Sequence, residues 1–485
     1  MHVRRLEPRR DVGRGRRRTL IAALALALAL GVSPVGAESL REAMRSAYLS
    51  NPRLDAERAR LRATDEEVPR ALSGYRPTVS GLAEVGRQRV ASDPVTPGAG
   101  TTSPWGYEVA LRQPIFNGFR TTNAVHEAEA TVRAGREDLR LVESQTLLDA
   151  VIAYLDVVRD TALLRLREQN VAVLTRELEA AEARRQVREV TRTDVAQTRA
   201  RRARAVSAAD VARADLKVSR ATFERVVGHP AERLYEPPLR NPHLPRTITE
   251  ALAIAEQESP NVASALYREA AARYSVERIR GELLPEVTLE ASYQHRSEVS
   301  RLIDEQDTAS VSGRVSVPFY QGGEVSARVR QAKHTHVSRL QEIEQARTET
   351  QANVTAAWSR LMAARAQLKS DEVQVEASRT ALEGVREEEK VGQRTLLDVL
   401  NAEQELLDAQ VALVATRRDL VVAGYALLAA MGRLLAEPMG LTHEIYDAQA
   451  HYDEVRHRWF GLSITHAGGR KEMVQARDAD DEPQD

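Results

Sequence analysis

The chain has 485 residues, of which only 4% are aromatic and 29% are charged; a composition rich in Ala, Arg, Glu, Val and Leu favours long helices over compact mixed folds. It contains no cysteine, which excludes disulfides, thiolate metal sites and cysteine nucleophiles. A formal net charge of −1 gives no electrostatic reason to bind nucleic acid.

Residues 1–37 read as a cleaved export signal: eight arginines precede a short apolar run from Leu20 to Val32, followed by the small residues Val35 and Ala37. The run is shorter than the ~20 residues a membrane-spanning helix needs. Residues 38–228 then show one sequence of elements. Two helical stretches, "SLREAMRSAYLSN" and Leu54 to Gly74, lead to alternating segments at about 77–88 and 107–114, separated by a polar loop from Arg89 to Gly106. From Thr121 to Val187 there is no proline and only Gly135, so one helix about 100 Å long is permitted. A return helix, Arg192 to Val227, completes a hairpin spanning 121–227.

The segment 229–247 carries five prolines and cannot be helical. Residues 248–436 repeat the first series: two helical stretches, strands at about 285–295 and 310–318 around a polar loop from Arg296 to Ala309, and a hairpin at 324–434. Residues 437–461 form a C-terminal segment, and 462–485 read as a disordered tail.

The two series are copies. At an offset of 204, Pro114 meets Pro318, Gly118 meets Gly322, Thr191 meets Thr395 and Asp194 meets Asp398; upstream, at 208, Pro52 meets Pro260 and Pro77 meets Pro285. The unit of roughly 200 residues is far longer than a solenoid repeat. In "PEVTLEASYQ", Val287, Leu289, Ala291 and Tyr293 alternate with polar residues, as do Tyr107, Val109 and Leu111 in "YEVALRQ". Such strands suit either a sheet half buried in a soluble domain or a membrane barrel, apolar toward lipid and polar toward the lumen. Four strands are too few to close a barrel, and open edges are not tolerated in lipid, so the membrane reading requires oligomerisation. The export signal, the duplication and the long hairpins favour that reading.

Two strand-to-helix phrases, "QPIFNGF" and "VPFYQGG", two hairpin turns, "TRTDVAQTRA" and "VGQRTLLDVLNAEQELLDAQ", and "VVGHP" at the end of the first copy carry a resemblance to the TolC family of outer membrane efflux and secretion proteins. It covers nearly all of Ser39 to Gly461, and "GELLPEVTLEASY" is especially like the type I secretion channels of that family. The resemblance implies a mainly α fold with a transmembrane β-barrel part: tandem-duplicated long helical hairpins and four strands per chain, assembled as a homotrimer into a twelve-stranded barrel and a periplasmic α-helical tunnel. It implies outer membrane lipid, a periplasmic adaptor and an inner-membrane ABC exporter or proton-driven pump as partners, and no enzymatic activity or cofactor.

At the strand-to-helix junctions, Pro114 and Pro318 are expected to stop the strand ladder, and Gly118 and Gly322 to permit the change of course. Phe116, Phe119, Phe319 and Tyr320 would fill the junction or sit at the membrane interface. At the hairpin tips, Thr191 to Asp194 and Thr395 to Asp398 fit a reciprocal helix cap. The resemblance makes the tips a periplasmic gate, with Thr193, Asp194, Arg394, Asp398 and Asn401 as its residues, and Val190, Thr191, Arg192, Gln393, Thr395 and Leu396 as the adaptor contact. Asp398 matches an acid of the family's constriction ring; Asn401 stands where a second acid is found, which lessens the ring's charge. A latch between Arg394 and Asp194 is weighed evenly against solvated charges. A family tyrosine expected near Glu389 is missing.

Other chemistry finds little support. The eleven histidines are scattered, no P-loop pattern occurs, and the basic stretch from Arg199 to Ala205 reads as a solvated helix face. The expectation is a gated export duct serving type I protein secretion. Efflux of toxic compounds and a pore-free periplasmic coiled-coil scaffold are the alternatives.

Overall fold

A computed structural model describes residues 37–91, 99–239, 243–465 and 471–472. Apart from Ala37, the expected export signal lies outside the described residues, as does most of the tail.

The chain opens with helix α1 (Leu40–Ser50), started by a reciprocal cap between Ser39 and Glu42; Asn51 ends it and caps α2 (Pro52–Asp65), with proline in the first turn. Helix α3 (Glu67–Leu72) follows a break ahead of Pro69, so the single stretch expected from Leu54 to Gly74 is divided. Proline lacks the N–H that a continuous helix would use there. Strand β1 (Thr78–Val85) and the short pair β2 (Gln88–Val90) and β3 (Gly100–Thr102) precede β4 (Trp105–Asn117). The first hairpin is α4 (Arg120–Gln186) and α5 (Arg192–Val227). In the second copy, α6 (Ile248–Glu258) and α7 (Pro260–Arg280) lead to β5 (Glu286–Ser300), β6 (Ile303–Ser316) and the hairpin α8 (Glu324–Lys390) and α9 (Leu396–Ala430). Helices α4 and α8 each have 67 residues, about 100 Å of helix. Among the described residues no helix is long and apolar enough to cross a membrane.

The strand pair of the second copy exceeds its expected length. Residues 296–309, expected as a loop, continue both strands, with Arg296 opposite Gln306 and Ser297 opposite Glu305. Polar residues on both faces leave no hydrophobic alternation to read, although the backbone ladder persists.

The four long strands form one antiparallel sheet in the order β1-β4-β5-β6, so β4 and β5 join the copies. The register aligns Gly81, Val109, Tyr293 and Ala309 across the sheet, and likewise Val79, Leu111, Ala291 and Val311. Over these rows one face is an apolar band, bounded by the His295–Asp307 pair in the next row, and it is uncovered: Val79 is 67% exposed and Val311 76%. The opposite face carries the ion pairs Arg112–Glu286, Arg296–Glu84 and Arg314–Glu290. Strands β1 and β6 are open edges.

The main core lies midway along the hairpins, where α1, α6 and the linker wrap α4, α5, α8 and α9 around Tyr154, Phe223, Leu361, Leu427 and Met431. Tyr154 donates to the carbonyls of Glu38 (2.7 Å) and Tyr235 (2.5 Å), tying the chain start and the linker to α4. Beyond α9 the chain climbs through α10 (Ala450–Val455) to a short pair, β7 (Ile464–Thr465) and β8 (Lys471–Glu472), so these described residues of the expected tail are ordered into a ladder.

Candidate functional site: hairpin tips and strand-to-helix junctions

Both hairpin tips are built alike. The first long helix of each hairpin ends in a Schellman motif: Glu189 N–H bonds the Arg184 carbonyl and Arg188 N–H that of Arg185, as Gln393 does to Glu388 and Gly392 to Glu389. The turning residue has a left-handed backbone in both, Arg188 at φ 63° and Gly392 at φ 78°. Only glycine adopts this without cost, so Arg188→Gly is expected to stabilise the protein by about 1 kcal/mol, read as a rise in thermal midpoint.

The return helices start as the sequence predicts. Thr191 Oγ1 accepts from Asp194 N–H, and Asp194 Oδ2 accepts from Thr191 N–H at 2.8 Å; Thr395 and Asp398 repeat this, with the Thr395 N–H at 2.9 Å. These bonds from Thr395 hold the Asp398 carboxyl below the usual carboxylate range, so it enters the tip as an anion.

The expected Arg394–Asp194 latch is not formed within the protomer. Arg394 bonds Glu388 of its own hairpin at 2.8 Å, because the tight turn brings these two together, and Asp194 is engaged in its cap. The hairpins are instead tied by arginines of the first. Arg184 pairs with Glu389 at 2.6 Å, and Arg201 donates to the Leu400 carbonyl (2.8 Å) and to Asn401 Oδ1 (2.6 Å). Glu389 thus joins the two hairpins by a salt bridge, and Asn401 Oδ1 accepts from a guanidinium. The stretch from Arg199 is solvated at Arg199 and Arg204, as expected, with Arg199 in a surface pair with Glu182, while Arg201 and Arg202 are half-buried and Arg202 donates to Thr175. Between the ties lies an apolar cluster of Leu174, Ala181, Val195, Ala205, Leu396 and Leu400, with Val190 packed against it. Leu396, expected at an adaptor contact, is therefore buried; Thr191, Arg192, Thr193, Gln393 and Thr395 are exposed.

Glu403 lies two residues beyond Asn401, buried, with Oε1 on Arg386 at 2.6 Å and Oε2 without a protein partner. Burial raises its pKa, with Arg386 opposing. A raised folded-state value means the folded tip binds the proton more readily than the unfolded chain does, so stability rises as pH falls through that value toward the ordinary ~4.3. Tip amide exchange, corrected for intrinsic rates, should slow as pH is lowered toward the ordinary carboxylate range. Glu403→Gln should remove that dependence.

At the other end, Pro114 does not stop the ladder. Strand β4 continues to Asn117 through a bulge at Ile115, with Pro114 opposite Thr288 and Phe116 opposite Val287. Pro318 lies two residues past the end of β6. The change of course is made by two successive left-handed residues, Gly118 and Phe119 (φ 67° and 60°) and their counterparts Gly322 and Gly323 (φ 62° and 81°). Phe116 packs edge-on against Phe119, whereas Phe319 and Tyr320 are exposed. Gly118 also touches the backbone of Gly281: a Cβ there would lie 2.2 Å from the Gly281 carbonyl oxygen. Among the described residues no group of three His, Asp or Glu could hold a metal ion.

The model of the family described as outer membrane efflux protein matches residues 43–229 and again 251–433, one match for each copy. The chain belongs to the outer membrane efflux protein family. It is the TolC family the sequence resembles, and this efflux protein is accordingly an outer membrane channel protein reaching into the periplasm. It is 39% identical over 426 residues to outer membrane efflux protein BepC of Brucella suis biovar 1 (strain 1330), covering 88% of this chain and 92% of the relative. It is 27% identical over 322 residues to the alkaline protease secretion protein AprF of Pseudomonas aeruginosa, covering 65% of this chain and 67% of that one. Its fold is similar to the crystal structure of the Campylobacter jejuni CmeC outer membrane channel, with a TM-score of 0.75 at 15% identity, over 86% of this chain and 89% of that chain.

Proposed function

We propose that three copies of this efflux protein close their sheets into one twelve-stranded barrel and their hairpins into a tunnel, forming a gated, non-enzymatic duct. The observation that carries this is the sheet, whose in-register apolar face is uncovered while the outer edges of β1 and β6 are unpaired among the described residues. Lipid covers such a face, and only closure with neighbouring chains satisfies the edges. The charged opposite face then lines the lumen. A pore-free scaffold has no use for these strands. Purified protein in planar bilayers should give discrete conductance steps; intact trimers that give none would favour the scaffold.

The duct draws its energy from an inner-membrane translocase through a periplasmic adaptor that engages the exposed tip residues. For the cargo we favour efflux over protein secretion, because the similarity to BepC is greater in identity and in coverage than that to AprF. Secretion with an ABC exporter, the expectation from the sequence, is the second reading and is supported by AprF. A photo-crosslinking residue at Gln393, exposed on the tip, separates them. Capture of the adaptor of a proton-driven pump supports efflux, and capture of an ABC exporter's adaptor supports secretion.

A further inference from the structure

The C-terminal segment is a strap with a defined course. From the core at Leu441 it climbs along the first copy's short helices: Tyr446 N–H bonds Tyr48 Oη (2.9 Å), and His451 meets Asp65 (3.0 Å). Higher up, Tyr452 packs with Val68, and Arg456 pairs with Glu129 (3.1 Å). It arrives at Arg76, two residues before β1, where the guanidinium donates to the Arg458 carbonyl at 2.7 Å and stacks 4.9 Å from the Trp459 ring centre. After this firm attachment the chain displays apolar side chains outward: Trp459 is 64% exposed, Phe460 90% and Leu462 88%. Arg458 turns back to Ser463 Oγ at 2.6 Å, fixing the displayed turn.

We infer that Trp459, Phe460 and Leu462 form a membrane-interface anchor that inserts into the phospholipids of the periplasmic leaflet of the outer membrane. The inference rests on the reading of the sheet as a membrane barrel. Arg76 marks the end of the sheet where the strands meet the helices, so the turn sits level with the boundary of the apolar band. The exposed Phe319 and Tyr320 lie just past the matching end of β6, at the opposite edge of the sheet, and mark the same boundary. Aromatic residues with arginine beside them suit the headgroup region, where the rings bury and the guanidinium meets phosphate. A core role is inconsistent with the exposure of all three side chains, and the strap leading to them is fixed by ion pairs rather than by the turn itself.

The protein has three tryptophans, Trp105, Trp358 and Trp459, which makes a direct test possible on the full chain. The Trp105→Phe/Trp358→Phe variant, which keeps Trp459 alone, is reconstituted in phospholipid vesicles containing lipids brominated near the headgroup or deep in the acyl chain. Trp459 should lose most of its emission with the shallow bromines and less with the deep ones. Adding Phe460→Ser and Leu462→Ser should relieve that quenching. Val109→Trp in a background with all three tryptophans replaced by phenylalanine reports the apolar face of β4, and it should be quenched by deep bromines. Quenching of that reporter without quenching of Trp459, as when a neighbouring protomer covers the turn, overturns the anchor and leaves the barrel standing. Quenching of neither overturns both.

Discussion

Alanine at Gly118 should abolish assembly, alanine at Gly281 should weaken it, and alanine at Gly322 should be nearly tolerated. The three substitutions separate two physical effects at the strand-to-helix junction. Gly322 has a positive φ but open space around it, so its substitution costs only the backbone strain, about 1–2 kcal/mol. Gly281 has an ordinary helical backbone, yet a Cβ would lie 2.2 Å from the Gly118 carbonyl oxygen, so its substitution isolates the clash. Gly118 combines the two, and because the obstacle is backbone rather than a flexible side chain, a loss above about 4 kcal/mol is expected. The yield and thermal midpoint of trimers extracted in detergent measure the series. Equal effects of Gly118→Ala and Gly322→Ala would show that the junction does not depend on this contact.

The second large effect is expected at the tips. Arg184 and Arg201 hold one hairpin to the other, and truncating them removes the partners of the half-buried Glu389 and of the buried Leu400 carbonyl, a cost of about 1–3 kcal/mol each. Since every 1.4 kcal/mol is tenfold in an equilibrium, the Arg184→Ala/Arg201→Ala double variant should shift the closed tip toward open by roughly two orders of magnitude. Its single-channel conductance should rise accordingly. Arg394→Ala and Asp194→Ala should change conductance little, because Arg394 bonds within its own hairpin and Asp194 within its own cap. A large increase from Arg394→Ala with none from the double variant would restore the latch expected from the sequence and remove the role given to the two arginines.

Local chemistry explains why some features could be read in the sequence. Long uninterrupted helices, the threonine and aspartate caps and the doubled phrase depend on neighbours within a few residues, and the structure places them where the spacing predicts. The capping pair Ser39 and Glu42 is even matched in its counterpart by Thr247 accepting from Glu250. What depends on distant segments could not be read. Arg201 looked like one of several basic residues on a helix face; only the packing of α5 against α9 brings it to the Leu400 carbonyl. Leu396 looked like an exposed tip residue until the opposite hairpin covered it. The upper part of β5 and β6 escaped notice because its pairing is between polar residues, and the bulge at Ile115 because a proline in a strand reads as its end.

In the proposed assembly the open edges of β1 and β6 meet between protomers, and three protomers complete the ring. Because the chain has no cysteine, Ser80→Cys on β1 and Ser312→Cys on β6 can be joined in the membrane by a bis-maleimide shorter than the ~14 Å between the edges of one sheet. Covalent dimers and a closed trimer are expected from the double variant, no larger species, and none from either single variant. Monomers alone, or a ladder running past three chains, would contradict it.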